Sequence, residues 1–373
     1  MREIHSLEEF DRVLDARGTL DGLVVQGVDL SLRSDVIESV TCAGGTFLGA
    51  RLSTSTLEHV LASGAVVFPR LPDLPFDTYR PQLYTQGELL GGWVPGEAGS
   101  FEASALDSKI YEWTTQWARG QNVPLLDALA TRLHDHAIDD ALAEHLEAHR
   151  DVVAVMGGHS MQRTDPAYRT VAELGRSMAR TGWHVATGGG PGAMEAANLG
   201  AWLAPHADTA LDESIELLTA AVDFHDADEY LCAGLSVLHA FPDGGASLAV
   251  PTWFYGHEPT NQFATHVAKY FANSIREDGL LALATRGVVF APGAAGTTQE
   301  VFQDATQNHY DIFGVVSPMV FLDTHFWTEQ LPAEPLLRQL AGDRTYAAMI
   351  GTADTAEDVM RYLVEHPPIR RGA

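Results

Sequence analysis

The sequence predicts an α/β fold: a Rossmann-like, doubly wound parallel sheet with helices on both faces, preceded by a smaller N-terminal α+β region. Three observations predict it. After residue 150, short apolar runs rich in β-branched residues alternate with amphipathic stretches, the pattern of βαβ units. Two of those runs end in glycine-rich turns that open into helix-forming sequence, "VATGGGPGAMEAAN" and "VVFAPGAAGTTQE". The composition, 46% hydrophobic and 9% aromatic over 373 residues, is that of a folded chain with room for more than one domain. The expected boundary separates 1–150 from 151–373.

The elements follow in order. Between about 20 and 70, short stretches such as "GLVVQGVDLSL" and "ASGAVVFP" read as small strands, with no internal repeat of fixed period. "PRLPDLPFDTYRP" reads as an irregular loop, and 105–150 as helical. "VVAVMGG" (152–158) is a buried strand. In the next helix Asp165 is the N-cap, Pro166 takes the first helical position, and Val171, Leu174 and Met178 form the apolar stripe. "WHVAT", "ASLAVPTWF", "GVVFAPG" and "VVSPMVFLD" are further strands. "NQFATHVAKYFANSI" reads as a helix, with Phe263, Val267 and Phe271 four apart, and "TADTAEDVMRYLVEH" as a capped helix.

Charge narrows the function. With 23 Lys+Arg against 50 Asp+Glu, the formal net charge is −27. Such a chain repels nucleic acid and anionic membranes, so neither is expected as a partner. The only lysines are Lys109 and Lys269, and the only cysteines Cys42 and Cys232, which fits a reducing cytoplasm. "MREIHSLEEF" has no apolar signal core, and no run is long enough to span a bilayer. His134, Asp135 and His136 lack a third ligand group at diagnostic spacing and read as a solvated helix face, so no metal site is expected.

The glycine turns carry the chemistry. Parallel sheets bind ligands beyond the carboxyl ends of their strands. Glycines there let backbone N–H groups approach an anion, and the following helix adds its positive end. Phosphate is the natural occupant; the alternative is a turn tight for steric reasons alone. The second turn runs into Glu300, expected in the first turn of its helix.

Pro292, Gly293, Ala294, Ala295, Gly296, Thr297, Thr298, Gln299 and Glu300 resemble the P-G-G-x-G-T-x-x-E hallmark of the LOG ("lonely guy") proteins, long mislabelled lysine decarboxylases. Gly188, Gly189, Gly190, Pro191, Gly192, Ala193, Met194 and Glu195 resemble their upstream G-G-G-x-x-G-x-M-type turn, and "VMGGHS" (155–160) their first strand and turn. The resemblance covers about 150–325. It implies hydrolysis of the N-glycosidic bond of nucleoside 5'-monophosphates to free base and ribose 5-phosphate, without metal or redox cofactor. It makes 151–373 a nucleotide-binding catalytic domain and implies a homodimer or a higher assembly of dimers.

The family's catalytic pair maps onto Glu300 and Arg276, the latter one residue from the family position. The family's neighbouring lysine is replaced by Glu277, and its second motif glycine by Ala294. Substrate contacts are expected from Gly157, Gly158, Ser160, Gly188, Gly189, Gly190, Gly192, Met194, Glu195, Gly293, Ala294, Ala295, Gly296, Thr297 and Thr298. Asp304, one turn past Glu300, either lines the pocket or faces solvent; Met194 and Trp202 touch a base or pack in the core; His159 contacts phosphate or completes a turn. Lysine decarboxylation would need a Schiff-base lysine, for which only Lys269 lies near the motifs. A non-catalytic nucleotide-binding sensor of the same fold is the alternative function. Family members with an N-terminal extension act on ordinary purine and pyrimidine monophosphates rather than cytokinin nucleotides, and the 1–150 region resembles such an extension.

Overall fold

The computed structural model describes residues 3–117 and 123–371. They form two compact units, Met1–Leu83 with Thr115–Glu144, and Tyr84–Thr114 with His145–Ala373. The segment from Tyr84 therefore joins the second unit although it lies well before residue 150.

In the first unit, strands and helices alternate: β1 (Glu3–Ile4), α1 (Leu7–Arg17), β2 (Val24–Gln26), α2 (Ser34–Glu38), β3 (Thr46–Leu48), α3 (Thr54–Ala62) and β4 (Val66–Phe68). The strands pair in parallel in the order β1-β2-β3-β4, each against its predecessor. Phe10, Leu14, Val25, Phe47 and Val60 lie in the core beneath them. After the short helices α4 (Gln86–Leu89), α5 (Ser100–Ser104) and α6 (Leu106–Thr115) comes α7 (Leu125–Glu147). The expectation of a solvated face at His134–His136 is corrected here. His134 and Asp135 are buried, His134 packing edge-on to Phe76 at 5.3 Å, and only His136 is exposed.

The second unit carries the site. Its elements are β5 (Val152–Met156), α8 (Pro166–Arg180), β6 (His184–Thr187), α9 (Ala193–Trp202), α10 (Ala210–Leu218), α11 (Ala227–Ala240), β7 (Leu248–Ala249), β8 (His266–Val267), α12 (Asn273–Ala282), β9 (Gly287–Phe290), α13 (Ala295–Tyr310), β10 (Val315–Val316), β11 (Met319–Leu322), α14 (Ala333–Ala341), β12 (Ile350–Ala353), α15 (Ala356–Glu365) and β13 (Ile369–Arg370). Seven strands form one parallel sheet in the order β12-β11-β9-β5-β6-β7-β8. From β5 the chain steps one way to β8, then returns to β9 and steps the other way. The strand order reverses between β5 and β9, which opens a crevice beyond their carboxyl ends.

Local sequence explains these elements. Asp165 takes the N-cap position of α8 with Pro166 following, its carboxylate accepting from the Gln162 N–H at 2.7 Å rather than from the helix, and Val171, Leu174 and Met178 are fully buried. The α8 and α9 backbones touch: a Cβ on Gly175 would stand 2.2 Å from Ala197 O. Thr355 caps α15, its hydroxyl accepting the Asp358 N–H at 3.1 Å. Two expectations are corrected. The helix read over 261–275 is instead irregular chain with β8, and helix begins only at Asn273; pairing with β7 overrides the four-residue spacing. Pro318 splits "VVSPMVFLD" into β10, which pairs antiparallel with β13, and β11 in the main sheet. No helix among the described residues is long and apolar enough to cross a membrane.

Candidate functional site

A cleft of about 500 Å³ opens at the carboxyl ends of the central strands. Its walls are the turn after β5 (Gly157, Gly158, His159, Ser160), the turn after β6 (Gly188, Gly189, Gly190, Met194), the loop after β7, and the start of α13. Gly158 links the walls. Its N–H donates to Pro292 O at 3.0 Å, and its carbonyl accepts the Ala193 N–H at 3.2 Å. Both turns are tight at their first glycine: a Cβ on Gly157 would lie 2.6 Å from Ala193 Cβ, and one on Gly188 2.3 Å from an Arg276 guanidinium nitrogen.

Arg276 and Glu300 meet on the cleft wall, Nη1 to Oε1 at 3.4 Å, each side chain only about a tenth exposed (11% and 12%). Arg276 is held by backbone: Nε donates to Val250 O at 2.7 Å and Nη2 to Gly188 O at 3.5 Å. Those carbonyls end the β6 and β7 strands, so the sheet itself aims the guanidinium. Burial pushes the Glu300 carboxyl up to about 7; Arg276 opposes the shift and Glu277 adds to it. Glu277 also lines the cleft and accepts from Gln299 Nε2 at 2.7 Å.

At the start of α13, the first helical bond is Thr298 N–H to Ala294 O at 3.0 Å. The N–H groups of Ala295, Gly296 and Thr297 precede it and have no intrahelical acceptor, and all three residues line the cleft. Unbonded N–H groups at a helix start suit an anion. Ala294, the departure from the hallmark glycine, sits at φ −109°, which any L-residue adopts. Glu300 lies in the second turn of α13, not the first as the sequence suggested, since the helix begins at Ala295.

Of the other expected contacts, Gly192, Glu195, Gly293 and Thr298 are not on the cleft lining. Glu195 points inward from α9. Its carboxylate pairs with buried Arg163 (Nε to Oε2 at 3.0 Å) and accepts from Tyr168 Oη at 2.8 Å and Tyr230 Oη at 2.7 Å. A helix turns about 100° per residue, so Met194 reaches the cleft while Glu195 faces the core. Gly293 leaves no room beside Thr297, whose Oγ1 would be 2.2 Å from an added Cβ. Thr298 bonds back to Ala294 O at 3.0 Å. Asp304 neither lines the cleft nor faces solvent. It is 2% exposed, and burial raises its carboxyl well above the usual range. Trp202 packs with the core, its Nε1 donating to Phe241 O at 2.8 Å. His159 is at the rim, 2.8 Å from Glu258 Oε1.

Sequence reasoning missed the loop after β7. Tyr255, Glu258, Thr260 and Asn261 of this loop line the cleft, as does Lys269 just past β8. The Gly256–Pro259 stretch was a readable loop signal, but not its destination. Lys269 is paired with Asp107, with Nζ to Oδ1 and Oδ2 at 2.7 and 2.9 Å. Asp107 also accepts from Trp253 Nε1 and Thr260 Oγ1, both at 2.7 Å. A lysine so engaged does not present the free amine that Schiff-base chemistry needs.

A family model described as the SLOG cluster4 family matches residues 150–205. That segment runs from β5 through the first glycine turn to just past α9, and there the LOG-like kinship is borne out. No curated protein matches significantly. Among solved structures, the molybdenum cofactor binding protein of the phototrophic bacterium Rippkaea orientalis is similar at 15% identity, with a TM-score of 0.37 over 58% of this chain and 96% of that one. TM1055 is similar at 19% identity and a TM-score of 0.38, over 58% and 99%. The molybdenum cofactor carrier protein of Chlamydomonas reinhardtii is similar at 18% identity and a TM-score of 0.36, over the same shares.

Proposed function

We propose that the cleft hydrolyses the N-glycosidic bond of nucleoside 5'-monophosphates, releasing a free base and ribose 5-phosphate. The observation that carries this reading is the Arg276–Glu300 pair, 3.4 Å apart on the wall of a cleft bounded by two glycine turns. The N–H groups of Ala295, Gly296 and Thr297 take the phosphate. The ribose then lies beside Glu300. Cleavage passes through an oxocarbenium-like ribose, and an ionised Glu300 stabilises the positive charge developing at C1' and orients the attacking water. Arg276, fixed by two carbonyls, holds ribose or phosphate oxygens without having to reorganise. Water supplies its hydroxyl to C1', and its proton leaves with the base.

The competing function is a nucleotide-binding sensor, which needs the N–H groups but not the charge on Glu300. Glu300→Gln keeps the shape and removes the charge. In the enzyme, nucleotide affinity stays within about tenfold while kcat falls about a hundredfold or more. Wild-type protein that binds a monophosphate and releases no base from any of a purine and pyrimidine panel is a sensor. A Glu300→Gln variant with wild-type turnover moves the chemistry to another group. The same reading includes a homodimer or higher assembly of dimers in the cytoplasm; light scattering that gives only a monomer at micromolar concentration removes the dimer from it.

A further inference from the structure

At the amino end of β6, away from the cleft, four imidazoles crowd together. His145 closes α7, His149 follows it, His184 opens β6 and His266 opens β8. His145 Nε2 and His184 Nε2 are 3.1 Å apart. The rings of His149 and His184 stack at 4.1 Å, and His145 lies 4.3 Å from His266 between centroids. One nitrogen from each of His145, His149 and His184 falls within a 4.8 Å span. Burial, together with the neighbouring imidazoles, holds His184 down to about 3 and His145 to about 4.

We propose that His145, His149 and His184 bind one divalent transition-metal ion of the Zn²⁺ type, and that His266, whose nitrogens lie outside that 4.8 Å span, turns in as a fourth donor. A tetrahedral ion with bonds of about 2.0–2.1 Å spaces its nitrogen ligands about 3.4 Å apart. The 3.1 Å His145–His184 pair already meets that spacing, and small ring rotations bring in the third nitrogen. The donors are all imidazole, which suits Zn²⁺, Ni²⁺, Co²⁺ or Cu²⁺ rather than Mg²⁺ or Ca²⁺.

The surroundings prepare a ligand. Thr265 Oγ1 gives its one proton to Ser247 O at 2.9 Å. The His266 Nδ1 it meets at 3.0 Å is therefore the donor, which leaves His266 Nε2 with a bare lone pair. This is the outer-shell bond that commonly sets a metal-binding tautomer. The β6 strand, His184–Thr187, separates this cluster from Gly188 in the cleft. The ion thus ties the chain around 145–149 to the sheet and takes no part in glycosidic chemistry.

The test uses the full chain without a histidine tag, stripped with chelator and titrated with Zn²⁺. We expect one equivalent bound with a Kd at or below the micromolar range, a Tm about 5 °C or more higher, and with Co²⁺ the visible absorption of a tetrahedral site. His149→Ala, at a half-exposed position, weakens binding at least tenfold, and His145→Ala does the same. His5→Ala, at the separate Glu3–His5–Glu144 cluster, leaves affinity unchanged. Should His184→Ala fail to fold, the His149→Ala titration and the wild-type Co²⁺ spectrum decide. Absence of saturable binding by the wild type, unaltered affinity in His149→Ala, or loss of the ion in His5→Ala overturns the proposal.

Discussion

Gly192 and Ala294 occupy the same place in two turns: each is the N-cap residue of the helix that follows a cleft-lining strand. Gly192 sits at φ 70° and ψ −128°, and a Cβ there would lie 2.5 Å from Gly158 O and 2.7 Å from His159 O. Ala294 sits at φ −109° and is exposed. At Gly192 the fold demands glycine because its φ is positive and the Gly158–His159 backbone leaves no room for a side chain. In the second turn, Gly296 has nothing within 4 Å of an added Cβ, yet it lines the cleft. The two N-cap positions therefore answer to different constraints: packing fixes Gly192, whereas Ala294 and Gly296 face open space at the cleft.

The largest effect concerns the ligand of the cleft. If the second turn binds phosphate, a nucleoside 5'-monophosphate outruns its nucleoside by about a thousandfold or more in kcat/KM. Equal rates on AMP and adenosine would erase the distinction between the turns.

Next comes pH. Glu300, pushed up to about 7, is mostly ionised only above that value, so kcat/KM rises about tenfold per unit up to pH 7 and then levels. Stability runs the other way. The folded pKa exceeds the ordinary 4.5, so this residue's contribution is full below 4.5 and is lost as pH rises through 7. The Tm of Glu300→Gln relative to wild type therefore climbs between pH 5 and pH 8. A difference constant with pH would place the titration elsewhere.

Gly192→Ala tests the first turn. A methyl in a glycine-only conformation, against two carbonyls, costs about 2 kcal/mol or more, read as a lower denaturation midpoint. The smallest expected effect is the sharpest. Gly296→Ala leaves stability within about 1 kcal/mol but weakens monophosphate binding, measured calorimetrically, because its methyl projects into the cleft. Unchanged binding would mean that the open face of Gly296 does not meet the ligand.

Much of this was legible in the chain. The α8 cap at Asp165–Pro166, the buried β5 and β6 runs and both glycine turns obey local rules, so a single sequence exposes them. Arg276 and Glu300 were found through the resemblance, although only the sheet shows why they meet: Val250 and Gly188 supply the carbonyls that fix the arginine. Local pattern failed where distant chain intervened. The periodic stretch around Phe263 became β8 because β7 offered a parallel partner. Glu195 followed a cleft residue in sequence yet turned to Arg163 in the core.

The sequence by itself determined the α/β class, the order of the central strands and helices, the acidic charge and the two turns, because each rests on periodicity, composition or backbone geometry over a few residues. Only the tertiary structure decided which side of α9 meets the cleft, that Lys269 is bound to Asp107, and that four histidines scattered from 145 to 266 stand together. Those facts depend on pairing across long stretches of chain, and no local spacing encodes where a distant strand will lie.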